Sequence, residues 1–192
     1  MKKIKRFAAL LLAGVLALAV LTGCGGQTNV DISDKLAQKA TEAYAKALGV
    51  KAEEAQLNKE AAAINKAMLD RISEDGVMLL GKDENMEGEV PFLCFCNKTE
   101  KTENNYDRRI YSIVSFNEYP PEEEGYYRLS VKTLKAEQVN AILSGSLEEL
   151  NANLLVNLGK IGKIKGVGVS AKKLKDGTYC YVLTIDKIMR RY

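Results

Sequence analysis

The stretch from Ile161 to Ile185 constrains the fold more than any other part of the chain, because its apolar residues alternate with others. Alternation from Val167 to Ala171 leads into a turn that ends in Asp176-Gly177, and it resumes from Thr178 to Ile185. Two alternating runs joined by an Asp-Gly turn are typical of an antiparallel hairpin. The chain is therefore expected to build a mainly antiparallel sheet that ends in this hairpin.

The glycines of the same stretch also resemble a phosphate-binding loop, an alternative that their spacing does not support. Gly162, Gly166 and Gly168 do not have the spacing of a Walker-type loop, and no helix follows them as a dinucleotide fingerprint would require. Glycines inside a strand instead mark a bulge or the close approach of another segment. We expect no nucleotide or other cofactor here.

Helix and strand signals alternate through the rest of the chain. Apolar residues at helical spacing predict helices after Ser33, which with Asp31 is a candidate cap, and over 52–74, with Gly49 and Gly76 as ends. Thr133 and the Ser146–Glu149 capping box open two more predicted helices. Strands are predicted over 90–96, 109–116 and 127–131. The polar segment 97–108 is interpreted as a protruding connection. The pattern predicts one α+β domain with a mainly antiparallel sheet.

The first 23 residues are expected to lie outside this domain. Basic residues at Lys2–Arg6 precede an apolar run, Phe7–Val20, that is too short to span a bilayer comfortably. Leu21-Thr22-Gly23-Cys24 follows, and it resembles the lipobox of a bacterial lipoprotein signal peptide. That resemblance implies acylation of Cys24, with palmitate-type chains as the membrane anchor. The organisation expected is a signal peptide over 1–23, a lipidated tether over 24–30 and a domain over 31–192.

Removal of the signal peptide changes the charge balance. Four of the 28 basic residues and none of the 25 acids lie in it, so the mature chain has 24 bases against 25 acids. A nearly neutral chain gives no compositional support for nucleic-acid binding. The expected partners are a membrane, through the lipid anchor on its extracytoplasmic face, and an envelope or secreted ligand of unspecified identity.

The residue types needed for common catalytic sites are scarce. The chain has no histidine, which removes the usual general base and metal ligand. Cys94 and Cys96 share one face of a predicted strand, so they cannot easily bond to each other, but either could form a disulfide with Cys180. Three buried thiols are the alternative, and the pattern is weak for a metal site. A hydrolase that uses carboxylates or the Cys96 thiol stays open as a rival.

Several segments of the second half resemble one known family. They are Ala136–Leu143, Asn151–Leu155, Val167-Gly168-Val169 and Asp176–Val182. Together they resemble the CAP domain, the family of cysteine-rich secretory proteins, antigen 5 and plant pathogenesis-related proteins. The resemblance implies an α/β/α sandwich. Family members usually hold two histidines and two acids in a central cavity, and Leu150 and Asn151 stand where His-Arg is usual, so no cavity residue is carried over.

Together these observations predict a lipid-anchored envelope protein that acts as a CAP-like binding module without catalytic activity. Tyr106, Tyr119 and Tyr126 lie in polar segments and are the expected contact surface, against the interpretation that they only pack locally. A structural or self-associating envelope lipoprotein is the other alternative.

Overall fold

The computed structural model describes residues 31–51, 56–81, 86–87, 92–102, 105–117, 122–123, 126–146 and 162–190. It contains two mainly antiparallel sheets and three helices in this part of the chain, so the predicted α+β class is confirmed. The helices are α1 (Ser33–Ala47), α2 (Lys59–Asp70) and α3 (Ala136–Leu143). The strands are β1 (Val77–Gly81), β2 (Met86–Glu87), β3 (Phe92–Lys101), β4 (Tyr106–Ser115), β5 (Glu122–Glu123), β6 (Tyr126–Ser130), β7 (Lys163–Lys173) and β8 (Tyr179–Arg190).

The large sheet has the order β2-β3-β4-β8-β7, and the small sheet has the order β1-β6-β5. The C-terminal hairpin β7–β8 is present, with Val167 opposite Ile185 and Lys173 opposite Tyr179. Strand β4 lies between β3 and β8 and is buried on both faces, as its apolar pattern predicts. The hairpin thus forms one side of the large sheet.

Helices lie on both faces of the large sheet. Helix α1 packs on β7 and β8 and contacts α3, and their side chains form one core cluster with Ile113, Leu183 and Ile185. Helix α2 and the small sheet share the other face, where Val114 and Val182 are buried. The core therefore has two halves separated by the large sheet, and the small sheet is an addition that the sequence did not predict.

Strand β7 has both features that its glycines predicted, a bulge and the close approach of another segment. The pairing of β7 with β8 shifts register between Ile164 and Gly166. A Cβ on Gly166 would lie 2.8 Å from the Gln56 carbonyl oxygen, and one on Gly168 would lie 2.5 Å from Leu57 Cδ1. The segment before α2 therefore rests directly on the strand.

Three predictions about segments are corrected. The polar segment 97–108 is the body of the β3–β4 hairpin, with only a short turn around Asn105, whose φ is 63°. Helix α2 is shorter than predicted and begins after Asn58, whose side chain accepts a hydrogen bond from the Ala61 amide at 2.9 Å. Helix α1 has Ile32 at its N-cap and no side-chain cap, although Asp31 and Ser33 were expected to supply one.

The helix predicted after Ser146 and the lipobox with Cys24 lie outside the described residues. Among the described helices, none has the length and apolar character needed to cross a membrane.

Candidate functional site

The outer face of the small sheet exposes side chains that a sheet would usually bury. Along β1, Met78 and Leu80 point into the core, and alternation turns Leu79 outward, where it is 55% exposed. Arg128 of β6 lies directly opposite Leu79, and Tyr126, which is 39% exposed, lies two residues away on the same face. This face therefore combines apolar, aromatic and cationic groups.

The edge of β1 is protected by the chain that precedes it. An Arg71 guanidinium nitrogen donates a hydrogen bond to the Leu79 carbonyl oxygen at 3.1 Å. The Ser73 hydroxyl accepts one from the Val77 amide at 3.1 Å, and the Val77 carbonyl accepts one from the Ser73 amide at 2.7 Å. These bonds occupy backbone groups that an added strand would need. We therefore expect side chains to contribute most of the recognition of a ligand at this edge.

A cleft of about 440 Å³ opens beside this edge. Its walls combine two arginines, an aspartate, a serine and two aliphatic residues, namely Arg71, Ser73, Asp75, Val77, Leu79 and Arg128. Within the described part of the chain, neither Asp75 nor Arg128 makes an ion pair, although both line the same cleft. Opposite charges that border one cleft without meeting leave room for a ligand that carries both.

The predicted contact tyrosines are not gathered at one place. Tyr106 begins β4 of the large sheet and is 41% exposed, whereas Tyr126 begins β6 of the small sheet. Tyr119 lies outside the described residues. The sequence did not indicate Arg71, Asp75 and Arg128, because single charges in a polar turn or on the outer face of a strand look like ordinary solvated residues. The exposure of Leu79 could not be predicted, because every residue of the run Val77–Leu80 is apolar.

The disulfide that the sequence allowed is absent. Neither Cys94 nor Cys96 is bonded to Cys180. Cys94 packs in the cluster on the α1 side of the large sheet, whereas Cys180 is buried in the cluster on the α2 side. The sheet itself separates the two thiols. Burial raises the pKa of Cys180 to about 11, so this thiol stays protonated and unreactive at neutral pH.

A charged cluster joins α2 to the large sheet. Arg108 donates two hydrogen bonds from Nε and Nη2 to the buried Asp186 carboxylate, the shortest at 2.7 Å, and a third to Glu60 at 2.8 Å. Lys98 also pairs with Glu60. These contacts raise the pKa of Arg108 and lower that of Glu60. Because every charge in the cluster has a partner, its arrangement is that of a structural network and not of a catalytic pair.

A buried lysine lies on the opposite face of the same strands. Lys187 is 4% exposed, and its Nζ lies 5.2 Å from the centre of the Tyr111 ring. Burial lowers the pKa of Lys187 and raises that of Tyr111. The Tyr111 hydroxyl, which lies 3.3 Å from an Arg109 nitrogen, donates to the Met189 sulfur at 3.6 Å. Burial is the main cause of the lowered pKa of Lys187; Cys94 acts in the opposite direction, and the positive charge of Arg109 lowers the pKa further.

No group of three or more cysteine and acidic side chains in the described residues could hold a metal ion. Comparison of the chain with protein-family models, with curated proteins and with solved structures finds no match.

Proposed function

We propose that this chain is a lipid-anchored extracytoplasmic protein of the bacterial envelope that binds a ligand and has no catalytic activity. The lipobox ending at Cys24 supports the anchor, and the start of the folded domain at Ile32 leaves a tether of a few residues. A CAP-like type is supported by the sequence resemblance, whose helical segment forms α3 and whose Gly-Val-Gly-Val and Gly-Thr-Tyr segments fall in the C-terminal hairpin.

The observation that carries the binding proposal is the cleft in which Asp75 and Arg128 face a shared space without an ion pair among the described residues. Arg128 can hold a carboxylate, Asp75 can hold an ammonium or amide group, and Val77 and Leu79 offer an apolar wall between them. A ligand that fits has both charges or their hydrogen-bonding equivalents, with an apolar portion between them. A short peptide or a peptide terminus has this chemistry.

Photo-crosslinking in the native host tests this binding site. A photoreactive phenylalanine derivative in place of Leu79 is expected to form a specific crosslinked product. The same group in place of Glu137, which is exposed on α3 on the far side of the large sheet, is the matched control and should form none. Arg128→Gln and Asp75→Asn should each reduce the yield at position 79 by several fold. Equal yields at both positions would overturn the site.

The mass of the crosslinked product also decides between the alternatives. A product of twice the mass of the chain, formed between two copies, would support a self-associating envelope lipoprotein instead. The anchor is tested separately. Cys24→Ala should abolish incorporation of labelled palmitate and leave the 1–23 segment uncleaved, and a variant that is still labelled would contradict the lipobox.

A further inference from the structure

One end of the large sheet is lined by basic residues. At this end β3 stops, β4 begins, β8 stops and β7 begins. Lys101, Lys163, Lys165 and Arg190 lie here, and all four are exposed. We call these four residues the cationic rim. Four neighbouring strands at about 4.8 Å spacing make the rim roughly 15 Å wide.

The four rim residues lie next to several acids, and these described acids bind other bases. None of its four residues makes an ion pair with any residue that the structure describes. The nearby Lys98 and Arg108, in contrast, are paired with Glu60, Glu100 and Asp186. Asp107, opposite Lys101, pairs with Arg109. Among the described residues, the rim therefore keeps exposed positive charge.

An exposed aromatic residue accompanies the rim. Tyr106 lies directly opposite Arg190 in the sheet and is 41% exposed, and Met189 and Ile188 beside it are half-buried. Tyrosine is enriched where proteins meet the headgroup region of a membrane, because its ring is apolar and its hydroxyl is polar. Basic residues around such a ring add attraction to anionic lipids.

The polypeptide enters the domain at the same end. Thr41 of α1 accepts a hydrogen bond from the Val169 amide, and Tyr44 bonds to Tyr181, which lies opposite Ala171. Later residues of α1 therefore meet later residues of β7, so the two run in the same direction. Ser33 is eight residues before Thr41, or about 12 Å along the helix. That distance corresponds to about four strand residues and brings the start of α1 level with Lys165.

We infer that the cationic rim is a docking surface for anionic phospholipid headgroups, on the membrane to which the domain is tethered. The inference rests on the proposed anchoring at Cys24. Each basic residue near an anionic membrane surface favours the docked state by about fivefold. The cleft beside β1 lies toward the other end of the sheet, where the backbone amide of Lys175 in the β7–β8 turn donates to the Glu74 carbonyl. Docking by the rim therefore leaves the cleft facing away from the membrane.

Lysine acylation of the mature, full-length protein measures this docking directly. The protein is reconstituted in vesicles of phosphatidylcholine alone or with about one-third phosphatidylglycerol, and the acylation rate of each lysine is read by mass spectrometry. On anionic vesicles, the acylation rates of Lys101, Lys163 and Lys165 should fall by about fivefold. Lys175, exposed at the opposite end, is the internal control and should not change. Since the Debye length falls to about 3 Å at 1 M salt, high salt should remove the protection.

A charge reversal provides the matched variants. Lys163→Glu with Arg190→Glu should restore rapid acylation of Lys101 and Lys165, and Lys175→Glu should have no effect. Equal protection on neutral and anionic vesicles, or none on either, would overturn the inference. Protection by soluble polyglutamate without vesicles would assign the rim to an acidic polymer instead. The same spectra report whether residue 24 is lipidated, so a failed anchor is recognised separately from a failed rim.

Discussion

Gly166 and Gly168 show, at the scale of single residues, that a missing side chain can determine where another segment lies. The backbone at Gln56 and the side chain of Leu57 occupy the space where their Cβ atoms would be. These residues immediately precede Asn58, which begins α2. The two glycines therefore set the distance between the start of α2 and β7.

Alanine at these two positions should have different effects. Gly166→Ala places its Cβ against the backbone at Gln56, which cannot move alone, so we expect a loss of about 2–3 kcal/mol in unfolding free energy. The Cβ of Gly168→Ala contacts the Leu57 side chain, which can move, so we expect a smaller loss in unfolding free energy. Adding Leu57→Ala to Gly168→Ala should recover part of that loss. Urea unfolding measures both. Recovery of Gly166→Ala by Leu57→Ala would contradict this account.

Cys180 should be the slowest thiol of the domain. It is 1% exposed, and its pKa of about 11 keeps it protonated. Alkylation followed by mass spectrometry should modify Cys180 only when urea unfolds the protein, whereas the partly exposed Cys96 reacts in the native state. A Cys180 that reacts as fast as Cys96 in buffer would disprove the burial.

At the scale of elements, the β3–β4 hairpin illustrates how polar strands are stabilised. Its distal half contains charged residues that would be unusual in a buried strand, yet the register places Glu100 opposite Arg108, with which it forms an ion pair. Opposite charges across an antiparallel pair favour that register. The sequence contained this signal, because the charges of 98–101 and 107–109 are complementary, but polarity alone suggested a loop.

Helix α2 is attached to the large sheet by polar contacts as well as apolar ones. Asn65 is buried and donates to the Val182 carbonyl at 3.0 Å and to the Thr184 hydroxyl at 2.8 Å. The hydroxyl of Thr184 lies 3.0 Å from that of Ser112. Asn58 donates to Asp186 at 3.2 Å, next to the Arg108 contacts. These partners fix α2 along the strands more specifically than apolar packing would.

Removal of one member of the Arg108–Asp186 pair should cost more than removal of both. Arg108→Met leaves the Asp186 carboxylate, 3% exposed, without its main partner, and we expect a loss of about 2–4 kcal/mol. The double variant Arg108→Met with Asp186→Leu removes both charges and should lose less than the single one. Urea unfolding of the two variants and of each single change completes the cycle, and additive losses would contradict the coupling.

At the scale of the whole molecule, Lys187 links stability to pH. Its folded pKa is lowered by burial, so the unfolded chain binds more protons between the folded pKa and the ordinary lysine value of about 10.4. The free energy of unfolding therefore rises with pH between these two pKa values. At lower pH, Lys187 is protonated in the folded state and its buried charge destabilises the domain.

Lys187→Met should therefore raise the melting temperature at neutral pH. The difference from the wild type should become smaller toward pH 10, because the wild-type lysine loses its proton there. Melting temperatures of both proteins at pH 7, 8, 9 and 10 measure this difference. Lys175→Met, at an exposed position, is the matched control and should show a constant offset. A difference in melting temperature between Lys187→Met and the wild type that grew with pH would contradict a lowered pKa of Lys187.

The sequence alone determined the α+β class, the antiparallel hairpin and the roles of Gly166 and Gly168, because alternation and glycine placement are local properties of the chain. Only the tertiary structure decided the rest. It put Cys94 and Cys180 on opposite faces of the large sheet and placed Asp75 and Arg128 at one cleft. Each of these depends on register and on contacts between residues far apart in the chain, which no local pattern specifies.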